Sequence, residues 1–177
     1  AVGPDVDYVQ VKHLEDGTLY WLAEARLDHV FKKGKDKAPV VEILKKAKGA
    51  ELKGWKYEPL FPYFAEHKNS FQILVDSYVT TTDGTGIVHQ APAYGEDDFR
   101  VCMANNIEFV DPIDDEGRFK SVIPELSGQN FKDADKEISK RLKAEGKIFR
   151  QETIDHNYPF CERTDTPLMY RAIPAWY

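Results

Sequence analysis

Between Asp83 and Phe99 the chain reads DGTGIVHQAPAYGEDDF, gathering three of its eleven glycines, one histidine and an acidic run around a short apolar stretch. Thr85 to Gln90, carrying Ile87 and Val88, has the composition of a strand that ends near His89. Gly84 and Gly86 leave its backbone open to close approach by another chain or a ligand. Ala91-Pro92-Ala93 stops the ladder, because proline has no backbone donor. After Gly95, Glu96-Asp97-Asp98 precede Phe99, Cys102 and Met103 at helical spacing, so the carboxylates belong to a first helical turn. Strand, tight loop and helix start set an imidazole at one end and carboxylates at the other, and any chemistry is expected here.

The rest of the chain alternates strand and helix signals. Tyr8, Val9 and Val11 predict a strand, Glu15-Asp16-Gly17 a turn and Leu19 to Leu22 the return of a hairpin. Leu27, Val30 and Phe31 share one face of a helix predicted over Ala23 to Lys33, with Gly34 after its end. Pro39 is placed to open a second helix, Val40 to Lys48, where Val41, Leu44 and Lys45 recur at helical spacing. GWKYEPLFPYF, Gly54 to Phe64, contains two prolines and is read as an irregular segment that packs rings into the core. Phe71 to Val75 and Tyr78 to Thr82 read as strands, as do Ile107 to Val110 and the residues from Ile148 and Phe149. Asp114 to Gly117 is a turn. Lys132 to Glu145 is the clearest helix, with Ala134, Ile138 and Leu142 on one face, Asp133 or Asp135 as cap and Gly146 as terminator.

A chain of 177 residues fits one domain that buries roughly two thirds of its unfolded surface. No apolar run approaches the roughly 20 residues of a membrane helix. The net charge of -6 argues against a free-standing nucleic-acid binder, and the lysines from Lys32 to Lys56 are interleaved with acidic residues as on a solvated face. Cys102 and Cys161 stand far apart and no secretion pattern opens the chain, which points to a reducing, cytoplasmic setting. Asp114 to Gly117 does not meet the calcium-loop pattern, and His156 with Cys161 lacks the further ligands of a zinc site.

Three stretches in order, GWKYEPLFPYF, DGTGIVHQAPAYGEDD and KDADK followed by YPFCERTDTPLMYRAIPAWY, resemble the editing insertion of isoleucyl-tRNA synthetases, especially the eukaryotic cytoplasmic type. The resemblance covers nearly the whole chain. It implies a mixed α/β fold, a β-barrel-like editing domain of the valyl, isoleucyl and leucyl type with peripheral helices. Residues 1–155 would form that domain, and residues 156–177 an aromatic, proline-rich segment leading back toward a Rossmann catalytic domain. The implied activity is hydrolysis of valine misattached to isoleucine tRNA, and of valyl-adenylate. The partners are then the valine-charged 3′ end of that tRNA and the rest of the synthetase chain. No cofactor is implied for the domain itself, ATP and magnesium belonging to the full-length enzyme's catalytic domain.

By motif position, Asp98 matches the aspartate that holds the α-ammonium group, and His89 matches the histidine that lines the side-chain pocket. The backbone of Gly86, Ile87, Val88, Gln90 and Ala91 would form the pocket wall, with Gly95 beside it. Physical chemistry gives such a site its purpose. Isoleucine differs from valine by one methylene, worth only about 1–3 kcal/mol in a pocket, a limit for which this enzyme family is itself the standard illustration. A second site that admits the smaller product is then needed. Its ester hydrolysis calls for a placed water and a stabilised oxyanion rather than a protein nucleophile. The family's threonine-rich peptide, roughly Thr-Thr-Pro-Trp-Thr-Leu-Pro, precedes the segment that Ala1 to Val11 resembles and is absent here. Thr80-Thr81-Thr82 is no substitute, so the chain is expected to be an excised, monomeric fragment with half a site and little activity alone.

Blander readings stand beside this one. Asp97 and Asp98 at a helix start complement the macrodipole as caps, and His89 is an ordinary strand-end residue. The resemblance reverses that for His89 and Asp98 but leaves Asp97 a capping residue. Cys102 is read as a core thiol. The alternatives are a valyl or leucyl editing domain, a metal-dependent hydrolase using His89, Asp97 and Asp98, and a non-catalytic module that docks a tRNA acceptor end. HQAP, YEPLFPYF and YPFCERTDTP together favour the isoleucyl type.

Overall fold

Tyr8 and Val9 lie side by side on one strand, yet both are fully buried, because the two faces of that strand are covered by different parts of the chain. The computed structural model describes residues 1–32, 38–152 and 158–173. Its β1 (Asp7–His13) is the central strand of an antiparallel sheet ordered β2-β1-β3, flanked by β2 (Leu19–Ala23) and β3 (Val41–Lys48). Val9, Val11 and Leu22 pack on one face against Val30 and Phe31. On the other, Tyr8 and Ala23 pack against Val2 and Leu52. The hairpin matches its prediction: Gly17 takes φ +76°, and the Asp16 carboxylate accepts from the Thr18 N–H at 2.9 Å.

The segment predicted as helix from Val40 to Lys48 is strand β3 instead. It pairs with β1 from Asp7↔Lys48 to His13↔Val41, and a bulge between Gln10 and Val11 leaves Leu44 without an opposite residue. Val41, Ile43 and Ala47 carry an alternating signal as well as the helical one. Pairing with a fully buried neighbour decides between them, as tertiary context often does for short apolar runs. The helix predicted over Ala23 to Lys33 shrinks to a 3₁₀ turn, Glu24–Arg26, and a single turn α1 (Leu27–Val30). Lys33 and Gly34 lie outside the described residues.

Phe71 to Val75 forms only single bridges, Gln72 with Lys56 and Val75 with Val2. Tyr78 to Thr82, Thr85 to Gln90, Ile107 to Val110 and Ile148-Phe149 are not strands either. Their β-branched and aromatic residues serve local packing without a continuous partner edge, so propensity alone does not make a ladder. Gly54 to Phe64 is irregular as predicted. Tyr63 and Phe64 pack against the Ile123, Leu126 and Ala134 cluster, while Trp55 and Tyr57 remain exposed.

Two helices follow their sequence signals in outline. α2 (Glu96–Ala104) buries Val101 and Cys102, and α3 (Phe131–Ala144) buries Ala134. The cap of α3 is Asn130, whose side chain accepts from the Lys132 N–H at 3.0 Å, rather than Asp133 or Asp135. Gly146, at φ +67°, follows its end. Asp114 forms the predicted turn by accepting from the N–H groups of Glu116 and Arg118 at 2.9 and 2.8 Å. Among the described residues no helix is long and apolar enough to cross a membrane.

The Tyr8 hydroxyl connects the sheet to the loop that follows Asp83: it donates to the Gly86 carbonyl at 2.7 Å and accepts from the Gly3 N–H at 3.0 Å. Tyr8→Phe strands both backbone groups in a buried site. It is expected to lower stability by about 1–3 kcal/mol, read as a reduced urea midpoint at unchanged m-value.

Candidate functional site

From Thr82 to Ala91 the chain has no ladder, so its backbone groups are paired one at a time. The Arg26 guanidinium donates from Nε to the Gly84 carbonyl and from Nη1 to that of Thr82, both at 2.9 Å. Ala23, at the end of β2, donates its N–H to the Thr85 carbonyl at 2.9 Å. Gly86 sits at φ +75°, and a Cβ there would lie 2.5 Å from the Cβ of Ala23. The close approach that its glycine permits is thus to the protein's own sheet. Val88 exchanges backbone hydrogen bonds with Ala1, its N–H reaching the Ala1 carbonyl at 2.9 Å.

The loop turns at Ala91-Pro92-Ala93-Tyr94, closed by the Tyr94 N–H on the Ala91 carbonyl at 2.9 Å. The Ala91 N–H points the other way, donating to Asp98 Oδ1 at 2.9 Å. Asp98 is half-buried on the first turn of α2, and its Oδ2 has no hydrogen-bond partner among the described residues. Gly95, at φ +136°, lets this carboxylate fold back: a Cβ at Gly95 would stand 2.3 Å from Asp98 Oδ2. Asp98 therefore fixes the loop through one carboxylate oxygen.

His89, Ile87 and Val88 expose their side chains, and His89 has no hydrogen-bond partner among the described residues. Asp98 reaches the loop through Ala91, two residues beyond His89, and makes no hydrogen bond to His89 itself. Gln90 donates through Nε2 to the Tyr78 hydroxyl, while its buried Oε1 has no partner among the described residues. Burial, followed by the charges of Asp98, Asp97 and Asp76, pushes the Tyr78 phenol above its ordinary pKa, so the hydroxyl that accepts from Gln90 stays neutral. Of the predicted wall residues, Gly86, Val88 and Ala91 use backbone groups internally, which limits what they can offer a ligand.

Asp97 does not act as the predicted cap, since Gly95 caps α2 with no side-chain bond. Its carboxylate accepts instead from Arg100 Nη2 at 2.9 Å, one helical turn on. Arg100 also donates to Asp76 at 2.8 and 3.0 Å, and those bonds hold the Asp76 carboxyl below its usual range. Asp97 thus pairs with Arg100 on the exposed face of the helix. Among the described residues, no group of three or more His, Cys, Asp or Glu side chains has an arrangement suited to a metal ion. Cys102 is the core thiol predicted, pushed up to about 11 by burial first and by the Asp98 charge second. His156 lies outside the described residues.

A polar cluster that no sequence motif announces adjoins the turn. Asp111, half-buried, accepts from the Tyr94 hydroxyl at 2.7 Å, from Arg171 Nη2 at 2.6 Å and from Lys120 Nζ at 3.3 Å. Its partners are far apart in sequence, so no spacing betrays them. Asp97 and Arg100, by contrast, are three residues apart on a helix, a spacing from which their pairing could have been read. Two clefts lie elsewhere: one of about 120 Å³ between Phe61, Tyr63 and α3, and one of about 360 Å³ beside Asp5, Asp7 and Glu24. Neither is lined by residues 83–99.

Compared with known proteins, the chain aligns over its full length with aminoacyl-tRNA ligases. It is 47% identical to a protein of Bdellovibrio bacteriovorus, and 45% identical to cytoplasmic proteins of Caenorhabditis elegans and of Mus musculus. All three are isoleucine–tRNA ligases, and the chain belongs to that family as a homologue of one segment of it. It spans 14 to 17% of the length of these relatives, with all of the chain aligned. No family model matches the chain.

Burial alone would raise the Asp111 carboxyl, but hydrogen bonds from Arg171, Tyr94 and Lys120 outweigh it and hold the group at about 2. A carboxyl depressed on folding contributes stability above its unfolded value, and that contribution is lost as pH falls toward the folded one. Asp111→Asn should remove about 1–2 kcal/mol of stability at neutral pH and flatten the loss between roughly pH 4 and 2, read by denaturant titration across that range.

Proposed function

We propose that this chain is the hydrolytic editing domain of an isoleucine–tRNA ligase, clearing valine misattached to isoleucine tRNA. The observation that carries the reading is the half-committed carboxylate of Asp98. One oxygen is held by the Ala91 N–H and the other has no hydrogen-bond partner among the described residues, at the start of a helix, a geometry suited to an α-ammonium group. Full-length similarity to isoleucine–tRNA ligases supports the setting. His89, exposed and without a hydrogen-bond partner among the described residues, is available to limit the size of the bound side chain, and Gln90 with Tyr78 backs the wall behind it. In this reading water attacks the ester carbonyl while the site orients the aminoacyl group, and valyl-adenylate is a second substrate.

The mixed α/β composition and the three-stranded antiparallel sheet support the α/β class of the editing domains, whose barrel-like architecture belongs to the proposal. Residues 1–155 would then be the domain and 156–177 its return toward a Rossmann catalytic domain. The partners are the tRNA 3′ end and the remaining synthetase chain, in the cytoplasmic setting that two relatives carry in their names.

The test is Asp98→Ala in the full-length ligase, with hydrolysis of valyl-tRNA and binding of tRNA assayed separately. Hydrolysis should fall about 100-fold or more, the scale on which losing a substrate-orienting group acts, while tRNA binding is retained. Hydrolysis at the unsubstituted rate would sink the assignment. Loss of tRNA binding alongside hydrolysis would favour a docking module.

A further inference from the structure

The turn that supplies the backbone partner of Asp98 is gripped from a second direction. Tyr94, which closes that turn, donates its hydroxyl to Asp111 Oδ1 at 2.7 Å. Burial and the neighbouring Asp111 carboxylate both raise the Tyr94 phenol, which keeps it a donor. Asp111 in turn receives the flat edge of Arg171, with Nη2 2.6 Å and Nε 3.1 Å from Oδ2 and Nε 3.2 Å from Oδ1. Arg171 Nη1 continues to Asp115 at 2.7 Å, and the next residue, Ala172, donates its N–H to the Ala93 carbonyl at 2.8 Å. Two consecutive residues from the far end of the chain thus hold both the side-chain anchor and the backbone of the Ala91–Tyr94 turn. An exposed ion pair contributes little, but Arg171 and Asp111 are only 17% and 13% exposed, and their geometry uses the planar fork that lysine lacks.

We infer that Arg171 is a positioning residue for the candidate site: through Asp111 and Tyr94 it holds the Ala91–Tyr94 turn, and with it the N–H that orients Asp98. It touches neither substrate nor reacting atoms. The inference rests on the role proposed above for Asp98, and its test separates the two. In the full-length ligase, Arg171→Ala, Arg171→Lys, Tyr94→Phe and Asp98→Ala are compared by hydrogen exchange over residues 91–95 and by valyl-tRNA hydrolysis.

Arg171→Ala should speed exchange in that segment about tenfold or more, as expected for local opening. It should also lower kcat for hydrolysis roughly tenfold with KM for tRNA within about twofold, the pattern of a lost orientation rather than lost binding. Arg171→Lys should fall between, and Tyr94→Phe, which removes one hydroxyl and little volume, should move both readouts the same way by a smaller factor. Unchanged exchange in both Arg171→Ala and Tyr94→Phe would overturn the inference. So would faster exchange with unsubstituted kcat while Asp98→Ala abolishes hydrolysis. If Asp98→Ala leaves hydrolysis intact, the role of Asp98 fails and the kinetic half of the inference with it, whereas exchange still decides whether Arg171 holds the turn.

Discussion

The buried hydroxyl of Tyr8, bonded to the Gly86 carbonyl, is the contact on which the irregular half of the molecule depends. It stands on the central strand of the sheet, where both faces are covered, so the bond acts in a poorly polarisable setting and is correspondingly strong and costly to lose. A long stretch without a ladder must satisfy each N–H and C=O separately, and this loop does so by borrowing donors from β1, from the end of β2, from Arg26 and from Ala1. The sheet is small, but it anchors a stretch of chain that has no ladder of its own.

Where the loop meets α2, three consecutive acidic residues share a helical turn, yet they have different surroundings. Glu96 and Asp97 face outward, and Asp97 is neutralised by Arg100, which also satisfies Asp76. Asp98 turns inward over Gly95 and meets a backbone N–H. The favourable field of a helix start reaches all three alike. What separates them is the direction of the side chain, and a glycine with no Cβ is the reason that Asp98 can fold back at all.

Much of this is legible in the sequence where the signal is local. The hairpin at Asp16-Gly17, the start of α2 after Gly95 and the face of α3 each follow from residues within a few positions of one another. Tyr78 to Thr82 and Thr85 to Gln90 have the composition of strands without forming them, because their apolar residues meet single partners from several elements rather than one edge. Val40 to Lys48 departs from expectation for the converse reason: helical spacing is present, but a buried strand elsewhere offers a better partner. Within the site, the motif singles out His89 and Asp98, whereas Tyr8, Tyr78, Asp111 and Arg171 join it through contacts that no local spacing announces.

With the order β2-β1-β3, both outer strands of the described sheet are edges, and β3 is the longer of the two. An uncovered edge is a template on which a second copy of the same chain can add a strand, the first step toward aggregation. β3 carries Lys45, Lys46 and Lys48 along that edge and a bulge at Leu44 that interrupts its regular spacing. Charge and irregularity are the two features that discourage such addition, and they are also what makes the segment look unlike a strand. The same lysines that disguise β3 in the sequence oppose the addition of a second copy along its edge.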